Sequence, residues 1–385
     1  MTEPLLSVVM PCLNEERNVA ECVRKARAAF EEAGVVGEVV VVDNGSTDRS
    51  AELAAAAGAR VVRHDVRGYG AAIRRGIREA RGRFVVMGDA DTTYDFAEIP
   101  KFLEALQGGA DLVMGSRLCG TIHPGAMPWL HRYLGTPVLT AVLNLFFGAG
   151  ISDTNCGMRG FRRDAILALN LRCNGMELAT EMVVKAARRR LVIREVPIHY
   201  YPSVGRVPHL RSFSDGWRHL RFMLVLAPRY LFIYPGMALF AAGLVLMLLL
   251  QFKDVVIFGV PLGLSTAIFA GALLILGMQI GQFGVFANIL AVIEGLAEDG
   301  RTTRLLKKHF TLEKGLIVGG AILALGIVMG LVTAGLLWQV AGKTAGVDIA
   351  ITKLATLSII ITILGIQIMF ASFYISLLDL EKTLE

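Results

Sequence analysis

The chain has 385 residues, a net charge of +6 and a hydrophobic share of 54%. About 45–50% is usual for soluble globular chains, so composition excludes a protein that is soluble throughout. The charge is modest, and no nucleic-acid partner is expected. The apolar excess is uneven: up to Arg229 the sequence is mixed and charged, and beyond it long uncharged runs follow. Two parts are therefore expected. One has roughly 230 residues, enough to bury a core, and the other is a membrane part.

From the N-terminus, strand and helix patterns alternate. Residues 7–10 are an apolar run, with no basic stretch before them of the kind a secretory signal carries. Residues 14–33 repeat apolar positions at helical spacing, with Val19, Cys22, Val23, Ala26 and Phe30 on one face. Residues 38–42 read as a buried strand, and Ser46-Thr47-Asp48 as an N-cap before a helix at 51–57. A short strand at 60–62, a helix at 69–80 and a strand at 84–87 follow. This alternation predicts an α/β domain with a mostly parallel sheet. Ligands of such sheets bind at the carboxyl ends of the strands.

Those ends carry acids. The first closes on Pro11-Cys12-Leu13-Asn14-Glu15, the second on Asp43-Asn44-Gly45-Ser46, and the fourth on Asp89-Ala90-Asp91. One such Asp is an ordinary turn residue; three successive ends point to a site. An Asp-x-Asp presents two hard oxygen ligands to one side, which suits Mg2+ or Mn2+ shared with a diphosphate. The five cysteines form no CxxC pair and show no metal spacing, so they read as reduced thiols.

Between Asp111 and Asp153 no acid occurs, while Arg117, His131 and Arg132 alternate with Trp129, Leu130, Leu134, Leu139, Leu143, Phe146 and Phe147. Apolar segments with basic heads suit helices at an anionic lipid surface. Arginine also suits phosphate, because its planar fork donates two parallel hydrogen bonds. Four membrane spans are expected, at about 230–251, 264–293, 315–340 and 354–378, with Pro261 and Gly263 marking a short loop before the second. The basic loop with Arg301, Arg304, Lys307, Lys308 and Lys314 places that loop, both termini and the N-terminal domain in the cytoplasm. No span has a charge at its centre, which argues against an ion pump or channel.

Taken in order, PCLNE, VVDNGSTD, GYGAAIRRGI, GDAD, GSR and SDTNCGMRGF resemble the family 2 glycosyltransferases, in the branch of dolichol-phosphate mannose synthase and the polyprenyl-phosphate glycosyltransferases. The resemblance covers roughly residues 5–230. It implies a GT-A catalytic domain over 1–210, a juxtamembrane amphipathic helix over 211–229 and a transmembrane domain over 230–385. It also implies transfer of one sugar, with inversion, from a UDP- or GDP-hexose to a polyprenyl phosphate. Pro11, Leu13, Glu15, Asp43, Asp89, Ala90, Asp91, Arg117 and Arg206 then match nucleotide-sugar contacts. Asp89 and Asp91 match metal ligands. Arg117, Arg132 and Thr136 match acceptor-phosphate contacts. Asp91, Asp153 and Arg117 match positions at the reacting centre, with Asp153 orienting the acceptor or a sugar hydroxyl. The oligomeric state is left open, a homo-oligomer included.

The sequence disfavours three rival functions. The Gly68-Tyr69-Gly70 turn has Ile73 where a dinucleotide fingerprint needs glycine, and it follows the third strand. A processive polysaccharide synthase would carry Gln-x-x-Arg-Trp, whereas Gln107 is followed by Gly108-Gly109-Ala110. A non-catalytic nucleotide-sugar-binding protein would not need both Asp89 and Asp91. Departures from the family pattern are Asn44 for a second carboxylate, Thr93 for a glutamine, and Ser203 to Leu210 for a more basic loop in which Arg206 and His209 stand in.

Overall fold

A computed structural model describes residues 3–203, 212–252, 256–257, 260–261, 263–293, 311–340 and 349–384. The chain forms two compact units, Met1–Met223 and Leu224–Glu385.

In the first unit, seven strands form one sheet among the described residues: β1 Leu6–Cys12, β2 Gly37–Asp43, β3 Arg60–Arg63, β4 Phe84–Met87, β5 Leu112–Ile122, β6 Arg159–Arg162 and β7 Ile193–Tyr200. Their order is β3-β2-β1-β4-β6-β5-β7. All pairs are parallel except those of β6, which runs antiparallel to both β4 and β5. The α/β, mostly parallel GT-A arrangement expected from the sequence is what the chain adopts. Successive residues of a strand face opposite sides, and β1 shows it. Leu6, Val8 and Met10 enter a core with Val19, Val23, Ala26 and Phe30 of α1 Val19–Glu32. Val9 turns to the other face, where α3 Tyr69–Glu79 approaches so closely that a Cβ on Gly76 would lie 2.3 Å from Val9 Cγ1.

Several boundaries differ from the sequence reading. The first helix starts at Val19, because Asn14 adopts φ 57° and its side chain accepts from Thr47 N (2.9 Å) and Thr47 Oγ1. Ser46 and Thr47 thus pin the β1 loop rather than capping α2 Ser50–Ala56. Asp48 serves the start of α2 instead, its Oδ1 accepting from Ser50 N at 3.0 Å. β5 runs on well past Met114, with a register shift against β7 between Ser116 and Thr121. Arg117 therefore sits within a bulged strand, where a bulge re-aims a side chain. Further helices of this unit are α4 Ile99–Gln107, α5 Thr136–Phe147, α6 Arg163–Ala168 and α7 Leu178–Arg188; α8 Ser212–Leu226 runs across the boundary between the units.

The second unit contains α9 Tyr234–Phe252, a two-stranded ribbon of β8 Val256–Ile257 and β9 Val260–Pro261, α10 Leu264–Ile293, α11 Leu312–Val340 and α12 Ile349–Leu384. Four segments are long and apolar enough to cross a membrane: Arg229–Leu250, Leu264–Ile293, Leu312–Val340 and Ala350–Leu378. Glycines let these helices touch. A Cβ on Gly277 of α10 would lie 2.4 Å from Phe240 N of α9, and one on Gly365 of α12 would lie 2.5 Å from Leu323 N of α11. Small residues at crossings are the usual basis of helix association in lipid. Lys353 is buried near the start of α12, and its Nζ donates to the Leu250 carbonyl of α9 at 3.0 Å. The loop with Arg301, Arg304, Lys307 and Lys308 lies outside the described residues, as do Lys253, Lys343, Arg206 and His209.

Candidate active site

Parallel pairing aligns the acid-bearing strand ends, with Cys12 opposite Asp43. Asp43 is buried and its Oδ1 accepts from Ser46 N at 3.1 Å, closing the turn after β2. Pro11 is half-buried in β1, whereas the Leu13 side chain is 51% exposed. Glu15 is buried; its N–H donates to Ser50 Oγ (2.7 Å) and its Oε2 accepts from Asn18 Nδ2 (3.1 Å). Glu15 thus ties the β1 loop to the start of α2. Asn44 explains one departure from the family pattern. Its Nδ2 donates to the carbonyls of His64 (2.9 Å) and Val66 (2.8 Å), and its Oδ1 accepts from Gly68 N (2.8 Å). An aspartate could accept but not donate here.

β4 delivers Asp89, Ala90 and Asp91. Ala90 and Asp91 are buried, and Asp91 Oδ1 accepts from Thr93 N (3.1 Å) and Thr93 Oγ1 (2.6 Å). Thr93, where the family has glutamine, therefore orients this carboxylate. Thr92 between them has φ 62°, a left-handed conformation rare for a β-branched residue. Such strain costs about 1–3 kcal/mol and clusters at functional sites. Asp89 lies near the Tyr69 hydroxyl, whose pKa is pushed well above its ordinary value by burial first and by the Asp89 charge. On its other side the backbone of Gly157 comes so close that a Cβ there would lie 3.1 Å from Asp89 Oδ2. Gly157 N donates to Tyr94 Oη at 2.8 Å, so the 153–157 loop and the Asp-x-Asp loop are locked together. Burial pushes the Tyr94 hydroxyl well above its ordinary pKa, keeping it protonated.

Arg117 and Asp153 face each other. Asp153 is fully buried and Arg117 is 7% exposed. Arg117 Nε donates to Asp153 Oδ2 (2.7 Å), Nη2 to Oδ1 (2.8 Å), and the Arg117 backbone N–H to Oδ2 (3.1 Å). The guanidinium also lies 5.0 Å from the Tyr200 ring centroid. Both groups are thus engaged with protein partners. Two residues the sequence reading did not single out build this corner. Glu195 Oε1 accepts from Ser152 N (2.8 Å) and Ser152 Oγ (3.0 Å), fixing the turn that carries Asp153. Arg159, fully buried, donates to the carbonyls of Cys156 (3.0 Å), Thr154 (2.9 Å) and Ala179. Its sequence signal is weak, because β6 reads Arg-Gly-Phe-Arg and nothing local marks Arg159 rather than Arg162 as the fully buried one.

Arg132 and Thr136 lie on a different segment. Arg132 is exposed in a π-turn, His131–Gly135, with its guanidinium 5.4 Å from the Tyr133 ring centroid. Thr136 is buried at the start of α5. Around them Trp129, Leu130, Tyr133, Leu134, Val138 and Leu145 are exposed.

Asp89 and Asp91 are hard-oxygen ligands on one loop, and among the described residues no group of three His, Cys, Asp or Glu side chains forms. Two carboxylates fit Mg2+ or Mn2+ when other oxygens, such as those of a diphosphate, complete a shell of about six.

The site thus sits on a GT-A sheet with an Asp-x-Asp after β4, and the same chain carries four helices long and apolar enough to cross a membrane. The model of "Glycosyl transferase family 2" matches residues 7–169, and "Glycosyltransferase family 2 C-terminal transmembrane region" matches 285–379. The chain is 44% identical over 372 residues to "Low-salt glycan biosynthesis hexosyltransferase Agl6" of Haloferax volcanii, covering 96% of this chain and 88% of that protein. It is 34% identical to the "Dolichyl-phosphate hexose transferase" of the same organism, covering 55% of this chain and 89% of that one. It is 29% identical to an "Undecaprenyl-phosphate 4-deoxy-4-formamido-L-arabinose transferase" of Salmonella, over 51% of this chain and 59% of that one. Among solved structures, glucosyl-3-phosphoglycerate synthase from Mycobacterium tuberculosis is similar at a TM-score of 0.46 and 24% identity, covering 58% of this chain and 79% of that chain. The chain belongs to glycosyltransferase family 2. It is a glycosyltransferase and a membrane protein.

Proposed function

We propose that the protein transfers one hexose from a UDP- or GDP-sugar to a polyprenyl phosphate, with inversion. One observation carries the acceptor assignment. The unit that bears the Asp-x-Asp also presents Trp129, Leu130, Tyr133 and Leu134, all exposed, beside Arg132. Such a surface belongs at the headgroup level of a membrane. The names of the dolichyl-phosphate and undecaprenyl-phosphate relatives support the same acceptor class.

In this reading Pro11, Leu13, Glu15 and Asp43 surround the nucleotide, and Asp89, Ala90 and Asp91 face its diphosphate. Mg2+ or Mn2+ held by Asp89 and Asp91 supplies neutralisation of the leaving diphosphate when bound. A phosphate oxygen of the lipid attacks the anomeric carbon from the far side, and the bond to the nucleoside diphosphate breaks. The second pKa of a phosphate monoester is about 6, so the nucleophile is ionised at neutral pH. Arg132 and Thr136 hold the lipid phosphate. Arg117 and Asp153, paired as they are, set the floor of the reacting centre rather than exchanging a proton. Arg206 adds a nucleotide-side cation. The 1–210 domain, the 211–229 juxtamembrane helix and both termini lie on the cytoplasmic side, the side of the basic loop.

The test is a membrane assay with radiolabelled UDP- and GDP-sugars, with and without polyprenyl phosphate. Label entering organic-extractable lipid only when polyprenyl phosphate is present is the expected result. Label that stays water-soluble or enters polymer refutes the acceptor class.

A further inference from the structure

Building on the function proposed above, we infer that Asn155 reads the transferred hexose, its side-chain amide pairing with one hydroxyl of the donor sugar. In a transfer with inversion the sugar lies between the incoming phosphate oxygen and the departing diphosphate. A residue that reads it must therefore stand between the acceptor segment and the Asp-x-Asp loop. The 153–157 loop makes that crossing. At one end Thr154, 1% exposed, is fastened to α5: its N–H donates to Thr140 Oγ1 at 3.2 Å, and its carbonyl accepts from Arg159 Nη2 at 2.9 Å. α5 is the helix that starts at Thr136, just after Arg132. At the other end Gly157 is fastened to the Asp-x-Asp loop. Its N–H donates to Tyr94 Oη at 2.8 Å, and a Cβ on it would lie 3.1 Å from Asp89 Oδ2. Asn155 falls between the two, and its backbone N–H donates to Asp153 Oδ1 at 3.2 Å.

Asn155 is half-buried, yet its Oδ1 is enclosed and no donor among the described residues reaches it. Around it the polar groups pair with one another, Arg117 with Asp153 and Gly157 N with Tyr94. A buried acceptor without a donor destabilises a fold. An orphan beside a satisfied network points to a ligand that brings the donor. The chemistry of the amide narrows that ligand. A nucleoside diphosphate's phosphates and a fully ionised lipid phosphate carry acceptors only, so neither can donate to Oδ1. A sugar hydroxyl both donates and accepts, and it pairs with either end of an amide. A site built to hydrogen-bond a substrate hydroxyl also rejects analogues that lack it, because the protein group is then left unpaired. Asn155 thus selects among hexoses and takes no part in breaking the bond.

The experiment uses the full-length chain in lipid nanodiscs with polyprenyl phosphate. The donors are UDP-glucose, UDP-galactose, UDP-N-acetylglucosamine and GDP-mannose, each with the monodeoxy analogues that lack one sugar hydroxyl. With the donor it uses, the wild type should lose about tenfold or more in kcat/KM for one analogue, the scale of a buried group left unpaired. In Asn155→Ala the parent donor should fall to the level of that analogue, and the analogue should lose nothing further. The penalties at the other hydroxyls should persist. The orphan acceptor destabilises the unliganded fold, so the melting temperature of Asn155→Ala should equal or exceed that of the wild type. Binding of Mn2+ with UDP or GDP, followed by electron paramagnetic resonance, should be unchanged, since neither nucleotide carries the hexose. Deoxy penalties that are the same in Asn155→Ala and wild type at every hydroxyl overturn this role and leave the proposed function standing. So does a clear drop in melting temperature, which would make the amide a structural group. Weaker Mn2+–nucleotide binding overturns it as well, by assigning the amide to the metal or the ribose. No transfer into lipid by the wild type from any of these donors refutes the proposed function, and the role of Asn155 with it.

Discussion

Asp153→Ala tests how the centre is built. The substitution leaves Arg117, 7% exposed, without the carboxylate that accepts from its Nε, Nη2 and backbone N–H. Removing one partner of a buried pair costs about 3–5 kcal/mol, because the remaining charge stays desolvated. Tyr200 still faces the guanidinium, so we expect the lower half of that range, about 3 kcal/mol. Arg117→Ala should cost about as much, by leaving the fully buried Asp153 without its cation. The double variant Arg117→Met with Asp153→Leu should lose less stability than the two single losses together. The assay is denaturant unfolding of the detergent-solubilised chain, read by tryptophan fluorescence and protease susceptibility. Activity should vanish in all three variants, so stability carries the test. An Asp153→Ala loss below about 1 kcal/mol, the size of an exposed ion pair, would show that the pair is not a structural strut. Asp153 would then return as a candidate for proton chemistry.

Asp91→Ala should abolish transfer, and wild-type transfer should be lost in excess chelator and restored by added Mg2+ or Mn2+; full wild-type activity in excess chelator refutes the metal assignment. Arg159→Met should destabilise by about 3–5 kcal/mol, because three buried carbonyls lose their donor at about 1–3 kcal/mol each without full additivity; the same unfolding assay reads it. Burial raises the Glu38 pKa, but the Arg81 N–H, the Ser7 hydroxyl and Arg60 outweigh it and hold the carboxyl below the usual range. A depressed carboxylate stabilises the fold above its unfolded pKa, and the contribution fades as pH falls through the folded value. Glu38→Gln should therefore cost about 1–3 kcal/mol at pH 7 and flatten the acid limb of a melting-temperature profile.

The sequence by itself determined the alternation of strands and helices, the parallel sheet and the four apolar helices. These rest on periodicity and local composition: EVVVV at 38–42 can be little but a buried strand, and 22 uncharged residues after Arg229 can be little but a span. The acid-bearing strand ends were equally legible, since a parallel sheet gathers them at one edge whatever the loops do. Only the tertiary structure decided what those residues touch. Glu15 became a clamp on Ser50, and Thr93 became the residue that orients Asp91. Arg117 was directed into Asp153 by a bulge in β5 that no local pattern announces. Asn44 gained its meaning from carbonyls 20 and 22 residues away, and Arg159 from three carbonyls brought together by β6 and α7. The physical reason is range. Periodicity reports the face an element buries, whereas a hydrogen bond between loops depends on how separate elements stack, and that is settled only when the whole sheet has formed.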